Sequence, residues 1–145
     1  EVRYDPVRLA RSKFAKSALS LEETVNAVQK GLAAGAAKHK VAVYQILCAM
    51  RGKSSEQCFE VANLTRRMHS DAMGGVVAMD LAGDESTYPN GPYTDCFKHA
   101  KFNLGLKATI HAGEFSLTMA SEVRSAILEM GADRIGHGYA AASDP

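Results

Sequence analysis

His111 and Glu114 stand three positions apart, at the end of a β-rich run over 106–110. A neutral imidazole is a common ligand for a divalent metal, and a carboxyl group beside a metal can give or take a proton. A buried histidine bonded to nearby backbone, next to a surface glutamate, accounts for the pair equally well on residue type alone. Placement at a strand end favours chemistry. His137, between Gly136 and Gly138, closes the next strand-like run. Its glycines permit close approach of backbone or ligand, and a histidine there could orient a metal-activated water; in isolation the reading as a half-exposed turn residue wins. Asp80 closes the run before, and Gly83-Asp84-Glu85 opens a polar loop. Asp80 could hydrogen-bond a substrate donor, and Gly83 could offer its N–H to a substrate acceptor. Asp84 and Glu85 serve either the site or a helix cap. His39, His69 and His99 fall among lysines and arginines at helix surfaces or ends and read as solvated.

The elements that must position these residues alternate. Strand-like runs begin near 1, 41, 76, 107 and 134, each pair separated by a helical stretch. Ser20-Leu21-Glu22-Glu23 is a capping box, followed by Val25, Val28, Leu32 and Ala36 at helical spacing. Gly31 and Gly35 weaken that helix but would allow close packing on a sheet. Residues 41–50 are nearly continuous in apolar side chains, the pattern of a strand covered on both faces. Ser54 or Ser55 caps a helix over roughly 55–70. A further helix spans 92–104 and ends at Gly105, and another spans 121–130 and ends at Gly131. Residues 7–19 read as loop and short helix. Alternating βα units imply right-handed crossovers and a parallel sheet. Either a doubly wound sheet or part of a (β/α)8 barrel satisfies this. No GxGxxG follows the first strand, and polar residues collect at the C-terminal ends of several strands, as in barrel enzymes. Five strands cannot close a barrel, so the expected fold is α/β, a partial TIM (β/α)8 barrel: a single, incomplete catalytic domain over 1–145.

Composition narrows the partners. A hydrophobic content of 46%, a charged content of 23% and a net charge of +1 are ordinary for a globular chain and give no bias toward nucleic acid or acidic membranes. No apolar run approaches the ~18 residues of a membrane span. Cys48, Cys58 and Cys96 are odd in number and lack CxxC spacing. This argues against a disulfide framework or thiolate zinc site and for a reducing, cytoplasmic setting. The chain begins inside a strand and stops just after one, which suggests a piece of a longer protein.

Val77-Ala78-Met79-Asp80-Leu81-Ala82-Gly83-Asp84-Glu85, His111-Ala112-Gly113-Glu114 and Arg134-Ile135-Gly136-His137-Gly138-Tyr139 resemble, in order and spacing, three motifs of the metal-dependent adenosine deaminases. Glu1-Val2-Arg3-Tyr4 and Ile46-Leu47-Cys48-Ala49-Met50-Arg51 look like the two preceding strands of that family. The resemblance implies a (β/α)8 barrel with one zinc ion, of which this chain supplies strands three to seven. It implies that His111 is a zinc ligand and that Glu114 protonates purine N1. It implies further that His137 orients and deprotonates the attacking water, that Gly83 contacts purine N3, and that Asp80 belongs to the substrate pocket. The implied reaction converts adenosine or 2'-deoxyadenosine to inosine and ammonia through a zinc-activated water; the partner is a small molecule, not nucleic acid or membrane.

The family's His-x-His pair and its aspartate zinc ligand have no counterpart in these residues. A single imidazole is not a zinc site, since zinc takes three or four protein ligands, so the segment alone is expected to be inactive. Competing readings are an AMP or adenine deaminase of the same superfamily, a non-catalytic barrel that binds nucleosides or a partner protein, and an unrelated barrel hydrolase.

Overall fold

The computed structural model describes residues 1–11, 19–115 and 119–143. Part of the 7–19 segment and part of the loop after Glu114 lie outside the described residues. Strands β1 (Val2–Tyr4), β2 (Gln45–Met50), β3 (Val76–Ala82), β4 (Lys107–Ala112) and β5 (Arg134–His137) form one sheet in the order β1-β2-β3-β4-β5. Every neighbouring pair is parallel. Sequential order with no reversal decides between the two expected architectures. A doubly wound sheet needs a switch point where the order turns back, whereas a barrel adds each strand beside its predecessor. The chain is therefore a partial (β/α)8 barrel.

The connecting helices are α1 (Pro6–Ala10), α2 (Leu21–His39), α3 (Ser55–Met68), α4 (Thr94–Lys98) and α5 (Ala120–Leu128). Local chemistry sets their starts. Ser20 Oγ accepts from Glu23 N at 3.1 Å while Glu23 Oε2 accepts from Ser20 N at 2.8 Å, so the capping box forms as the sequence predicts. Ser54 rather than Ser55 caps α3, accepting from Gln57 N. Gly105, at φ +68, provides the left-handed turn that feeds β4. The expected helix over 92–104 is in fact composite: a 3-10 turn at Gly91–Tyr93, then α4, then a π turn at His99–Asn103.

Two expectations are corrected. Gly31 and Gly35 of α2 face open space, so they do not mediate close packing; the close approach to α2 comes instead from Gly74, where a Cβ would lie 2.7 Å from the Gln29 carbonyl. Cys58 and Cys96 form a disulfide between α3 and α4, with Cα atoms 6.2 Å apart. Spacing along the chain did not reveal it because the pairing is made by helix packing across 38 residues.

Alternation divides the sheet. Leu47, Ala49, Met79, Leu81, Ala108 and Ile110 point toward the helices and form the main core with Val61, Leu64, Phe97 and Ala126. The other face, the concave interior of the half-barrel, carries Cys48, Asp80 and Thr109 in lateral register. His111 lies two residues beyond Thr109 on this same face.

Candidate active site

Parallel pairing brings the C-terminal ends of β3, β4 and β5 to one rim. His111 pairs with Gly136, and Ala112 with His137. His111 Nδ1 lies 2.9 Å from Asp80 Oδ1, and its ring is about one-quarter exposed (24%) while the Asp80 side chain is wholly buried (0%). The Asp80 hydrogen bond raises the His111 pKa above its ordinary value; burial opposes this, as does the charge of Arg3. Its ring centroid is 5.4 Å from that of His137. His137 Nε2 is 3.5 Å from Glu114 Oε2. Thus His111 and Glu114 from one run and His137 from the next meet at one place, with Asp80 against the His111 ring.

Each position has a local cause. Gly113 takes φ +76, and a Cβ there would lie 2.6 Å from Val123 Cγ2, so only glycine lets the chain turn between His111 and Glu114. His137 itself adopts φ +63, a conformation unusual for a residue with a Cβ and often found where function holds the backbone. Gly83 follows β3 at φ +111, where a Cβ would lie 3.4 Å from the Arg51 backbone nitrogen, and is exposed at the rim. Cys48 neighbours Asp80 in register, and its thiol is pushed up to about 12, first by burial and then by the Asp80 charge. It is a neutral thiol, not a nucleophile.

The fit to a metal is partial. Asp80 Oδ2 is buried without a hydrogen-bond partner among the described residues, with Arg3 Nη1 at 3.6 Å. The outer nitrogen of His111, Nε2, faces Arg3 Nη1 at 3.3 Å. A carboxylate that fixes one imidazole nitrogen and presents the other is the arrangement of a histidine metal ligand. No group of three or more His, Cys, Asp or Glu able to hold a metal occurs among the described residues. The donor set therefore suits one ligand of a zinc site and not the whole site.

Sequence reading passed over Arg3 and Arg51, and left Glu85 undecided. Glu85 is 3% exposed and Arg51 5%. Both contact the backbone of the His111–Phe115 turn. Arg51 directly follows the apolar run of β2, so a charge at a strand's C-terminal end, the signal that identified Asp80, was present there too. Asp84 is different: it accepts from Ser86 N at 2.9 Å at the surface, as a turn cap.

Comparison with known proteins identifies the family. The adenosine deaminase family profile matches residues 1–145. The chain is 35% identical to the adenosine deaminase of Gallus gallus, over 100% of the chain and 41% of the relative. It is 36% identical to that of Erwinia tasmaniensis, over 100% of the chain and 40% of the relative. It thus spans about two-fifths of the length of the curated relatives it matches. The adenine deaminase of Arthrobacter aurescens superposes with a TM-score of 0.78 at 25% identity, covering 98% of this chain and 40% of that one. A Zn-bound amidohydrolase from Burkholderia ambifaria superposes with a TM-score of 0.84 at 19% identity, covering 99% and 37%, which speaks to the fold. With three motifs converging on one rim of a half-barrel and the family profile matched from end to end, the chain belongs to the adenosine deaminase family.

Proposed function

We propose that, in the full-length protein, these residues form part of an active site that hydrolyses adenosine or 2'-deoxyadenosine to inosine and ammonia. The observation that carries the reading is the contact of Glu114 with His137, 3.5 Å between Oε2 and Nε2, beside the imidazole of His111. It sets an acid and a base on one rim, next to a metal-ligand type. His111 would supply one ligand of the zinc: Asp80 holds its ring through Nδ1, which leaves Nε2, here facing Arg3 Nη1, as the ligand nitrogen. Bound zinc lowers the pKa of water and so supplies a nucleophile at neutral pH. His137 takes the proton of the attacking water. Glu114 delivers a proton to purine N1, which draws electron density from C6 and makes it electrophilic. Gly83 offers its N–H to N3 and fixes the purine plane, so the pocket selects a ring with acceptors at both positions. The water oxygen bonds to C6, His137 passes its proton to the amino group, the C6–N bond breaks as ammonia leaves, and the hydroxyl proton returns to Glu114 as C6 becomes the carbonyl of inosine.

Curated relatives at 33–37% identity carry the name adenosine deaminase, which supports the nucleoside as substrate. The adenine deaminase superposition supports the free base as a second reading. Rates on adenosine, AMP and adenine with the full-length, zinc-loaded protein separate the two. Adenosine is expected to give the highest kcat/KM, and preference for adenine or AMP would reassign the substrate. Nucleoside binding with no ammonia released from any of the three would leave a binding barrel.

A further inference from the structure

We infer that Glu85 and Arg51 form a buried charge frame that positions the 111–115 turn, and through it His111 and Glu114. The inference rests on the proposed reaction for its chemistry and on contacts alone for its geometry. Glu85 Oε2 accepts from Gly113 N at 2.8 Å, and Oε1 accepts from Glu114 N at 2.6 Å and from Phe115 N at 3.3 Å. One buried carboxylate thus takes three successive N–H groups. Arg51 Nη2 donates to the His111 carbonyl at 2.7 Å and to Asn90 Oδ1 at 2.7 Å, while Nη1 donates to the Tyr88 carbonyl at 2.8 Å. Asn90 is pinned in turn by Glu122, whose Oε2 accepts from Asn90 N at 2.7 Å and whose carbonyl accepts from Asn90 Nδ2 at 2.8 Å. From the far side, Gly138 N donates to the Ala112 carbonyl and Ala140 N to the Gly113 carbonyl. The carbonyls of 111, 112 and 113 and the N–H groups of 113, 114 and 115 are therefore all held by groups outside the turn.

The need for such a frame is visible at Glu114. Its side chain is 40% exposed, and its contact with His137 is a long one. The direction of its carboxyl is set by the backbone beneath it. A carboxylate suits the N–H row because all its lone pairs accept; an amide of the same size would turn N–H groups toward N–H groups. Glu85 and Arg51 do not meet the reacting atoms, so they are positioning residues.

The test uses the full-length protein with Glu85→Gln. Hydrogen exchange at the amides of 113–115 is expected to rise about tenfold or more while the amides of β3 and β4 hold their protection. With adenosine, kcat is expected to fall about 100-fold, as for a small misplacement of a catalytic group, with KM within about threefold. Unchanged exchange at 113–115, or wild-type kcat, overturns the inference. If the wild-type protein releases no ammonia from adenosine and Glu85→Gln still frees the turn, the frame stands and the proposed reaction fails. Should Glu85→Gln not fold, Arg51→Lys reads the same frame. It keeps the charge and loses the fork, and kcat should fall about tenfold or more with KM held; wild-type kcat in that variant overturns the inference.

Discussion

Gly136 lies directly against the imidazole of His111: a Cβ at 136 would stand 2.7 Å from Cδ2 and 2.9 Å from Cγ of that ring. The two residues are register partners on β5 and β4. The glycine before His137 is thus there for the histidine one strand away. Gly136→Ala must push the ring off the Asp80 carboxylate. With His111 in its proposed role, zinc affinity or activity of the full-length protein should drop about 10–100-fold, the usual effect of disturbing the support of a metal ligand. Zinc content after dialysis, measured beside kcat, checks this; a variant with wild-type zinc and rate would refute it.

Asp80 and His111 should also leave a mark on stability in the metal-free protein. The hydrogen bond from Asp80 raises the His111 pKa, so the folded state holds this proton more tightly than the unfolded state. The stabilisation is fully present below the unfolded value, about 6.5, and is lost as pH rises through the raised folded value. Denaturant midpoints of wild type and Asp80→Asn, with chelator, should therefore differ more at pH 5.5 than at pH 8.5. Equal differences at both pH values would count against the linkage.

Glu114→Gln removes the proposed acid while keeping its shape. Loss of a positioned general acid costs about 10²–10⁴-fold in rate, so kcat on adenosine should fall within that range while inosine still binds. Binding of inosine by calorimetry separates the two effects. A kcat within a few-fold of wild type would remove Glu114 from the mechanism.

The 145-residue chain by itself should neither hold stoichiometric zinc nor deaminate adenosine, because the proposed site draws one ligand, His111, from this chain and zinc needs three or four. Metal analysis of the purified segment, with an ammonia assay, decides this. A zinc-loaded, active segment would mean that residues outside the expected ligand set complete the site.

The Cys58–Cys96 bridge closes a loop across 38 residues, for which the chain-entropy relation gives about 4 kcal/mol. Reduction should lower the denaturant midpoint accordingly. Thiol titration of the unfolded, unreduced chain should find Cys48 alone, the free cysteine of the three. Three titratable thiols would show that the pair stays reduced, as is usual in the cytosol.

Strand positions, the capped helix starts and the residues of the rim were legible in the sequence because each rests on local chemistry. Apolar runs bounded by glycine make buried strands, Ser20 and Glu23 cap one another within four residues, and a histidine and glutamate three apart after such a run share a rim. The pairing of Asp80 with His111, the space Gly136 leaves for that ring, the Cys58–Cys96 bridge and the Arg51–Glu85 frame were not legible. Each joins residues 25 to 60 positions apart. Their contacts depend on inter-strand register and helix packing, which only the assembled sheet fixes. Sequence by itself determined which residues would gather at the rim; tertiary structure decided what holds them in place. A buried carboxylate such as Glu85 takes its role from the backbone groups that fold against it, and those are set by the whole curve of the half-barrel.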